Sequence, residues 1–163
     1  MTRAELLRHL EQEVGVMMRR VKRVVAVRAE LVHEDLQPAA YLMLGYVAEH
    51  GPLRASSMAE IFSTDKGAIS RQVQHLVDLG LVVRLPDPDD RRAWLVSATD
   101  DAVARLAEVA AHRRKWLDER LGDWPDERLE HLTSLLSDYN EVLSRSPQVI
   151  DRAGPAADPI DQP

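Results

Sequence analysis

The stretch PDPDDRRAWLVS, residues 86–97, places two prolines and three aspartates directly before Arg91 and Arg92. Proline and aspartate form turns, and a short alternating apolar run follows, so we expect a charged turn between two strands. Guanidinium groups on such a turn suit a nucleic acid, because the negative potential of a narrow groove attracts them. An isolated DDRR sequence is more often a solvated loop. The neighbouring elements therefore decide between the two interpretations.

The chain before this turn is mostly helical in pattern. Residues 4–33 carry apolar side chains at spacings of three and four, which predicts one long helix. Pro38 suits the first turn of a second helix, which we expect to run to about His50. A long helix with a narrow apolar stripe needs a partner helix. The stripe of the first helix consists of Leu7, Leu10, Val14, Met17, Val21, Val24 and Leu31.

Two shorter helices precede the charged turn. Asp65 is a suitable N-cap for a helix over residues 66–79, and Gly80 ends that helix. Its spacing predicts a buried face made of Ile69, Val73 and Leu76. A short helix is expected before this one, near residues 55–62. Its inward-facing side chains are expected to be Met58, Ile61 and Phe62.

Short β-type runs flank the charged turn at residues 81–85 and 94–97, which predicts a hairpin with a charged tip. Helical periodicity returns at Thr99 and predicts two more helices, separated near Gly122 and Pro125. The stripe of the fifth helix consists of Val103, Leu106, Ala110, Leu117 and Leu121, and that of the sixth of Leu129, Leu132, Leu136, Tyr139 and Leu143.

This order of elements predicts a mainly α fold with a small β-hairpin wing, in which a winged helix-turn-helix lobe is flanked by helical dimerisation arms. We divide the chain into an N-terminal dimerisation helix (1–36), a winged helix-turn-helix domain (37–99) and C-terminal dimerisation helices (100–146). Residues 147–163 lack periodicity and are rich in Pro, Asp and Ala, which predicts a flexible tail.

Residues 51–99 resemble the MarR family of bacterial transcription regulators, and the likeness extends weakly over residues 4–146. Its most specific element is the D-x-R of Asp90 and Arg92. The resemblance implies a homodimer that binds a palindromic operator in double-stranded DNA, often under control of a small-molecule effector, and we expect this regulator to be a repressor. This chain departs from the family pattern at Gly67 and Ala68, where the family commonly has hydroxyl residues. It also departs at Ser63, a position that glycine usually holds in the family.

In this context the charged tip is expected to contact DNA. Arg91 and Arg92 would approach a narrow minor groove, while Asp90 holds one of them in place. Asp87 and Asp89 are expected to serve the turn and stay in solvent. The helix over residues 66–79 would enter the major groove, with its outward residues being Lys66, Gly67, Ser70, Arg71 and Gln74.

Each outward residue suits a particular contact. The fork of Arg71 matches O6 and N7 of guanine, and Gln74 could pair with adenine or with a phosphate. Lys66 and Ser70 are better suited to phosphate. Arg54 and Ser56 open the short helix and are candidate phosphate contacts, although each is equally well interpreted as an ordinary exposed residue.

The three arm stripes are too apolar to leave in water, so we expect a homodimer whose recognition helices lie about 34 Å apart, one turn of DNA. The alternative is that the three helices form a bundle within one chain. The family's effector pocket lies where the arms meet the DNA-binding lobe, and an aromatic or phenolic acid would suit it by analogy. The residues expected there are Met17, Val21, His33, Tyr41, Met43 and Trp116, most of which are more often core residues.

A net charge of −6 is unusual for a protein that binds nucleic acid. Residues 1–50 contain seven basic and seven acidic side chains, residues 51–99 six of each, and residues 100–163 eight basic and fourteen acidic. The excess therefore lies in the C-terminal third, and the segment with the charged turn can still present a basic face.

Several classes of protein are not expected. The chain has no cysteine, which excludes disulfides and thiolate sites. None of its six histidines lies four residues from another, and no nucleophile elbow or glycine-rich phosphate loop is present, so neither a metal site, a cofactor nor an enzyme is predicted. The N-terminus has no signal-peptide pattern, and no run approaches the roughly 20 apolar residues of a membrane span, so we expect a cytoplasmic protein. The rival interpretation is a dimeric ligand- or protein-binding module without sequence-specific DNA binding.

Overall fold

The computed structural model describes residues 1–90 and 92–144 and shows six helices with a small three-stranded antiparallel sheet. The predicted fold class is confirmed. The predicted tail, residues 147–163, lies outside the described residues. The elements are α1 (Arg3–Val32), α2 (Pro38–His50), β1 (Leu53–Arg54), α3 (Ala55–Ile61), α4 (Lys66–Asp78), β2 (Val82–Pro86), β3 (Trp94–Ala98), α5 (Asp100–Leu121) and α6 (Asp126–Ser144).

Local signals account for where the helices begin and end. Pro38 occupies the first turn of α2, and the Asp65 carboxylate accepts a hydrogen bond from the Ala68 N–H at 2.9 Å, which caps α4. Gly80 ends α4 with a φ of 70°, a value that glycine adopts without a steric penalty. Ser63, in the turn between α3 and α4, has a φ of 47° although it carries a Cβ. A glycine would adopt this backbone conformation without that steric penalty.

The sheet has the strand order β1-β3-β2, with the charged turn joining β2 to β3. The predicted hairpin is confirmed, with Arg84 opposite Val96 and Leu85 opposite Leu95. Strand β1 pairs Leu53 with Val96 on the other edge of β3, and the sequence reasoning missed it because two residues are too few to show an alternation.

The core of the unit formed by residues 1–116 lies between the end of α1, helices α2 to α4, the sheet and the start of α5. Its fully buried side chains include Leu44, Met58, Ile69 and Leu76. Ile61 was predicted to face inward, and this is wrong: it is the last residue of α3 and is 43% exposed. Met58 and Ala59 are buried and fill the core side of that short helix instead.

The second unit begins at Leu117 and contains α6, in which no residue is buried. Within this unit the Arg128 guanidinium lies 4.0 Å from the centre of the Trp124 ring, a cation–π contact. Among the described residues, no helix combines the length and the apolar character that crossing a membrane requires.

Candidate nucleic-acid interface

Helix α4 has one buried face and one open face. Ile69, Val73 and Leu76 are at most 2% exposed, as predicted from their spacing. The opposite face is not covered by the chain that the structure describes. It is made of exposed residues, namely Lys66, Gly67, Ser70, Arg71 and Gln74. A helix held by its apolar side with polar side chains projecting outward can enter a major groove.

An open cleft of about 600 Å³ separates this face from the wing. Ser70 and Val73 line its α4 side, while Arg84 and Trp94 line the wing side, with Ala55 and Val96 between them. Trp94 is 56% exposed. The cleft lies open between Ser70 of α4 and Trp94 of the wing, so the hairpin does not cover the exposed face of α4.

Sequence reasoning did not single out Arg84 and Trp94. Strand pairing places Arg84 beside the buried Val96, which points toward the body of the lobe. Because side chains alternate along a strand, Val82, Arg84, Val96 and Trp94 share that face. The signal was present in the alternation of residues 82–86, but using it required knowing which face of the hairpin turns toward α4.

A chain of hydrogen bonds joins the wing to α4. Arg84 Nη2 donates to Gln74 Oε1 at 2.9 Å, and Gln74 Nε2 donates to Asp78 Oδ1 at 2.7 Å. The amide of Gln74, which the sequence suggested for a base or a phosphate, is thus engaged at both ends. Each end of the amide keeps one further hydrogen-bonding position, but the two bonds fix its orientation, which makes Arg71 the stronger candidate for reading a base.

The base of the wing differs from expectation. Asp87 was predicted to stay in solvent, and this is wrong: the residue is 4% exposed. The Arg54 guanidinium donates from Nε to Asp87 Oδ2, and the Asp89 N–H donates to Asp87 Oδ1 at 2.9 Å. A carboxylate leaves solvent only when such donors replace water. The hydrogen bond from Arg54 and then that from the Asp89 N–H hold the pKa of Asp87 below its usual value, while the same pairing with Asp87 raises the pKa of Arg54.

Arg54 therefore has a structural partner. It was predicted to contact a phosphate, but its Nε is bound to Asp87 and its side chain is 42% exposed. Ser56, the other residue proposed at the start of the short helix, is exposed on α3.

At the wing tip, Asp90 Oδ1 accepts a hydrogen bond from the backbone N–H of Arg92 at 3.0 Å. Asp90 thus shapes the turn through the backbone of Arg92. The Arg92 side chain is exposed. Arg91, which was predicted to accompany it, lies outside the described residues.

The structure places the six residues predicted for an effector pocket in different surroundings. Met43 is 4% exposed in the core, whereas Met17 and Val21 line a shallow cleft of about 240 Å³ along α1. His33 and Tyr41 are half-buried, and Trp116 is 51% exposed. Over residues 1–90 and 92–144, no three His, Cys, Asp or Glu side chains are grouped in a way that would hold a metal ion.

Known proteins match this chain in both sequence and fold. The MarR family profile matches residues 34–93. The HTH-type transcriptional regulator YxaD of Bacillus subtilis (strain 168) is 29% identical over 134 residues, which cover 82% of this chain and 92% of YxaD.

Two solved structures show the same fold. The transcriptional regulator BldR from Sulfolobus solfataricus is 25% identical, with a TM-score of 0.67, over 90% of this chain and all of BldR. A MarR family regulator from Listeria monocytogenes, crystallised with a 26mer DNA, has a TM-score of 0.65 at 16% identity over 82% of this chain and 87% of its own. Together with the exposed α4 and its adjoining wing, these likenesses show that the chain has a winged-helix fold and is similar in sequence to MarR family transcriptional regulators.

Proposed function

We propose that this chain acts as a homodimer that binds a palindromic operator in double-stranded DNA, with α4 in the major groove and the wing against the adjacent minor groove. The observation that carries this proposal is the open polar face of α4 beside a cleft whose far wall is formed by Arg84 and Trp94 of the wing. The DNA complex of the Listeria regulator supports it, since that protein has the same fold.

The dimensions and chemistry of α4 suit a major groove. Its 13 residues span roughly 20 Å, and its exposed face carries Lys66 in the first turn and Arg71 in the second. Arg71 would bind the O6 and N7 of a guanine. Lys66 and Ser70 would contact phosphates, next to the positive end of the helix dipole.

The wing adds contacts to the DNA backbone. Arg84 and Trp94 project into the cleft, where a guanidinium and an indole N–H would each donate to phosphate oxygens. The exposed Arg92 at the tip would enter the minor groove. These side chains give the lobe a basic surface, although residues 51–99 as a whole carry no net charge.

Dimerisation is supported by the helical arms. On α1, Leu7, Leu10, Met17, Val21, Val24 and Leu31 are between 39% and 64% exposed. On α5, Val103 and Leu117 are exposed, and on α6 so are Leu132, Leu136 and Leu143. So much exposed apolar surface is unfavourable in water, and a second copy of the chain would bury it by packing against these helices.

We further propose that the protein is a repressor whose affinity for DNA responds to a small aromatic acid. Tyr41 and His33, half-buried near the junction of α1 and α2, provide polar groups for a carboxylate or a phenol. Titration of the protein–operator complex with a panel of aromatic acids tests this, and the proposal predicts release of DNA by at least one of them.

Selection of bound fragments from random duplex DNA tests the main proposal. The expected product is a palindrome with half-sites one helical turn apart, bound with a steep dependence on salt because phosphate contacts release counterions. If no sequence is enriched, the chain is instead a dimeric ligand- or protein-binding module that lacks sequence-specific recognition of DNA.

A further inference from the structure

The ion pair between Arg54 and Asp87 joins two parts of the lobe that are far apart in sequence. Arg54 ends β1 and is the N-cap residue of α3, whereas Asp87 follows β2 at the base of the wing. Strand β3 lies between them in the sheet. Two further ion pairs, His9–Glu13 and Asp101–Arg105, each join residues one turn apart on a single helix.

The pair lies on the side of the sheet that faces away from the α4 cleft. Arg54 is opposite Leu95, which is opposite Leu85, so these three share one face. Arg84 and Trp94, which line the cleft, share the other face. Arg54 bound to Asp87 is therefore placed behind the wing, where it supports the hairpin.

The Asp87 carboxylate also begins the hydrogen-bonded path to the wing tip. It accepts from the Asp89 N–H, and the Asp87 N–H donates to the Ala93 carbonyl at 3.2 Å. The Ala93 N–H in turn donates to the Asp90 carbonyl at 2.9 Å, and the Asp90 carboxylate holds the Arg92 N–H. Asp87 thus connects the body of the lobe to the backbone that carries Arg92.

We propose that Arg54 and Asp87 form a clamp that positions the wing, so that Arg92 is held in place for the minor groove before DNA arrives. Both are positioning residues, and they act through Arg92. A tip that is already ordered loses less conformational freedom on binding. This inference rests on the proposed function, because it assigns a role within DNA binding.

A four-variant cycle on the duplex recovered by selection tests the clamp. Asp87→Asn is expected to weaken binding by roughly tenfold in the wild-type background and by far less in an Arg92→Ala background, because residues that act as a unit are not additive. Asp89→Asn is the matched control. It removes the same charge from the same turn, but Asp89 is exposed, so it is expected to leave affinity unchanged or slightly raised.

Folding is monitored for every variant by thermal melting. If Asp87→Asn does not fold, Arg54→Lys replaces it in the cycle. Lysine keeps a positive charge beside the carboxylate but lacks the planar guanidinium group with its several donors. The clamp would be overturned if affinity for DNA falls equally in the wild-type and Arg92→Ala backgrounds, or if it falls in neither.

A measurement without DNA separates failure of the clamp from failure of the proposed function. The chain has no cysteine, so a nitroxide attached to an introduced Asp89→Cys reports on the wing alone. If the clamp holds the wing, adding Arg54→Lys or Asp87→Asn should make the nitroxide more mobile and sharpen the lines of its electron paramagnetic resonance spectrum. Unchanged lines would contradict the clamp. If the selection from random DNA recovers no duplex but the nitroxide is more mobile in these variants, the proposal of DNA binding fails. The proposal that Arg54 and Asp87 hold the wing then still stands.

Discussion

The winged-helix lobe and the helical arms use apolar residues in opposite ways. In the lobe, Leu44, Met58 and Leu76 are fully buried by the chain's own elements. On the arms, the stripes on α1 and α6 remain largely exposed, and α6 buries no residue at all. The same periodic pattern therefore has two outcomes: a core where other elements of the chain lie close, and an uncovered face where they do not. This contrast supports our proposal that the lobe recognises DNA and that the arms associate with a second copy of the chain.

The largest effect is expected from a cavity in the core of the lobe. Leu44 is 0% exposed, so Leu44→Ala should lower the free energy of unfolding by about 2–5 kcal/mol, measured by urea denaturation. Leu42→Ala, on the same helix but 53% exposed, is the control and should cost much less. Similar losses from both variants would mean that the lobe does not have the core described above.

A charge on the arm should break association and leave the lobe folded. Val21 is 51% exposed in the single chain, and Val21→Glu should weaken the dimer by about 2–3 kcal/mol, because an unpaired carboxylate would be buried between copies. Sedimentation velocity over a concentration series measures this. Arg23→Glu, an exposed position on the opposite side of α1, is the control, and equal effects would argue against α1 as the interface.

Removing the base-reading side chain should affect recognition and leave stability unchanged. Arg71→Ala is expected to cost about 1–3 kcal/mol of discrimination between the selected operator and variants of its guanine positions. Lys66→Ala should instead weaken binding to all sequences alike and reduce the salt slope by about one. Fluorescence anisotropy on matched duplexes measures both. Preserved discrimination after Arg71→Ala would assign base reading to another residue.

The smallest effect concerns acid stability. The pKa of Asp87 is lowered in the folded state, so its contribution to stability is present above the unfolded pKa and is lost as pH falls through the folded value. Wild-type protein should therefore lose more stability than Asp87→Asn on acidification below about pH 4. Chemical denaturation across that range measures the difference, and parallel pH profiles would show that the ion pair does not contribute.

Much of this structure could be predicted because local signals agreed with the fold. Asp65, Gly80 and Pro38 mark helix ends through backbone hydrogen bonding and φ preferences that need no tertiary context. The buried face of α4 followed from the spacing of Ile69, Val73 and Leu76.

The errors fall where distant segments meet. Asp87 was assigned to solvent because its neighbours are turn formers, whereas its burial depends on Arg54, 33 residues earlier. Arg84 and Trp94 were overlooked because their importance depends on which side of the hairpin faces α4. No pattern within a short window of sequence carries such information.

The affinity ratio between the selected operator and a scrambled duplex of the same composition tests the central claim most directly. If the open face of α4 reads bases while the wing holds the backbone, the intact protein should prefer the operator by at least about a thousandfold at physiological salt. Equal affinity for the two duplexes would contradict this account of the molecule.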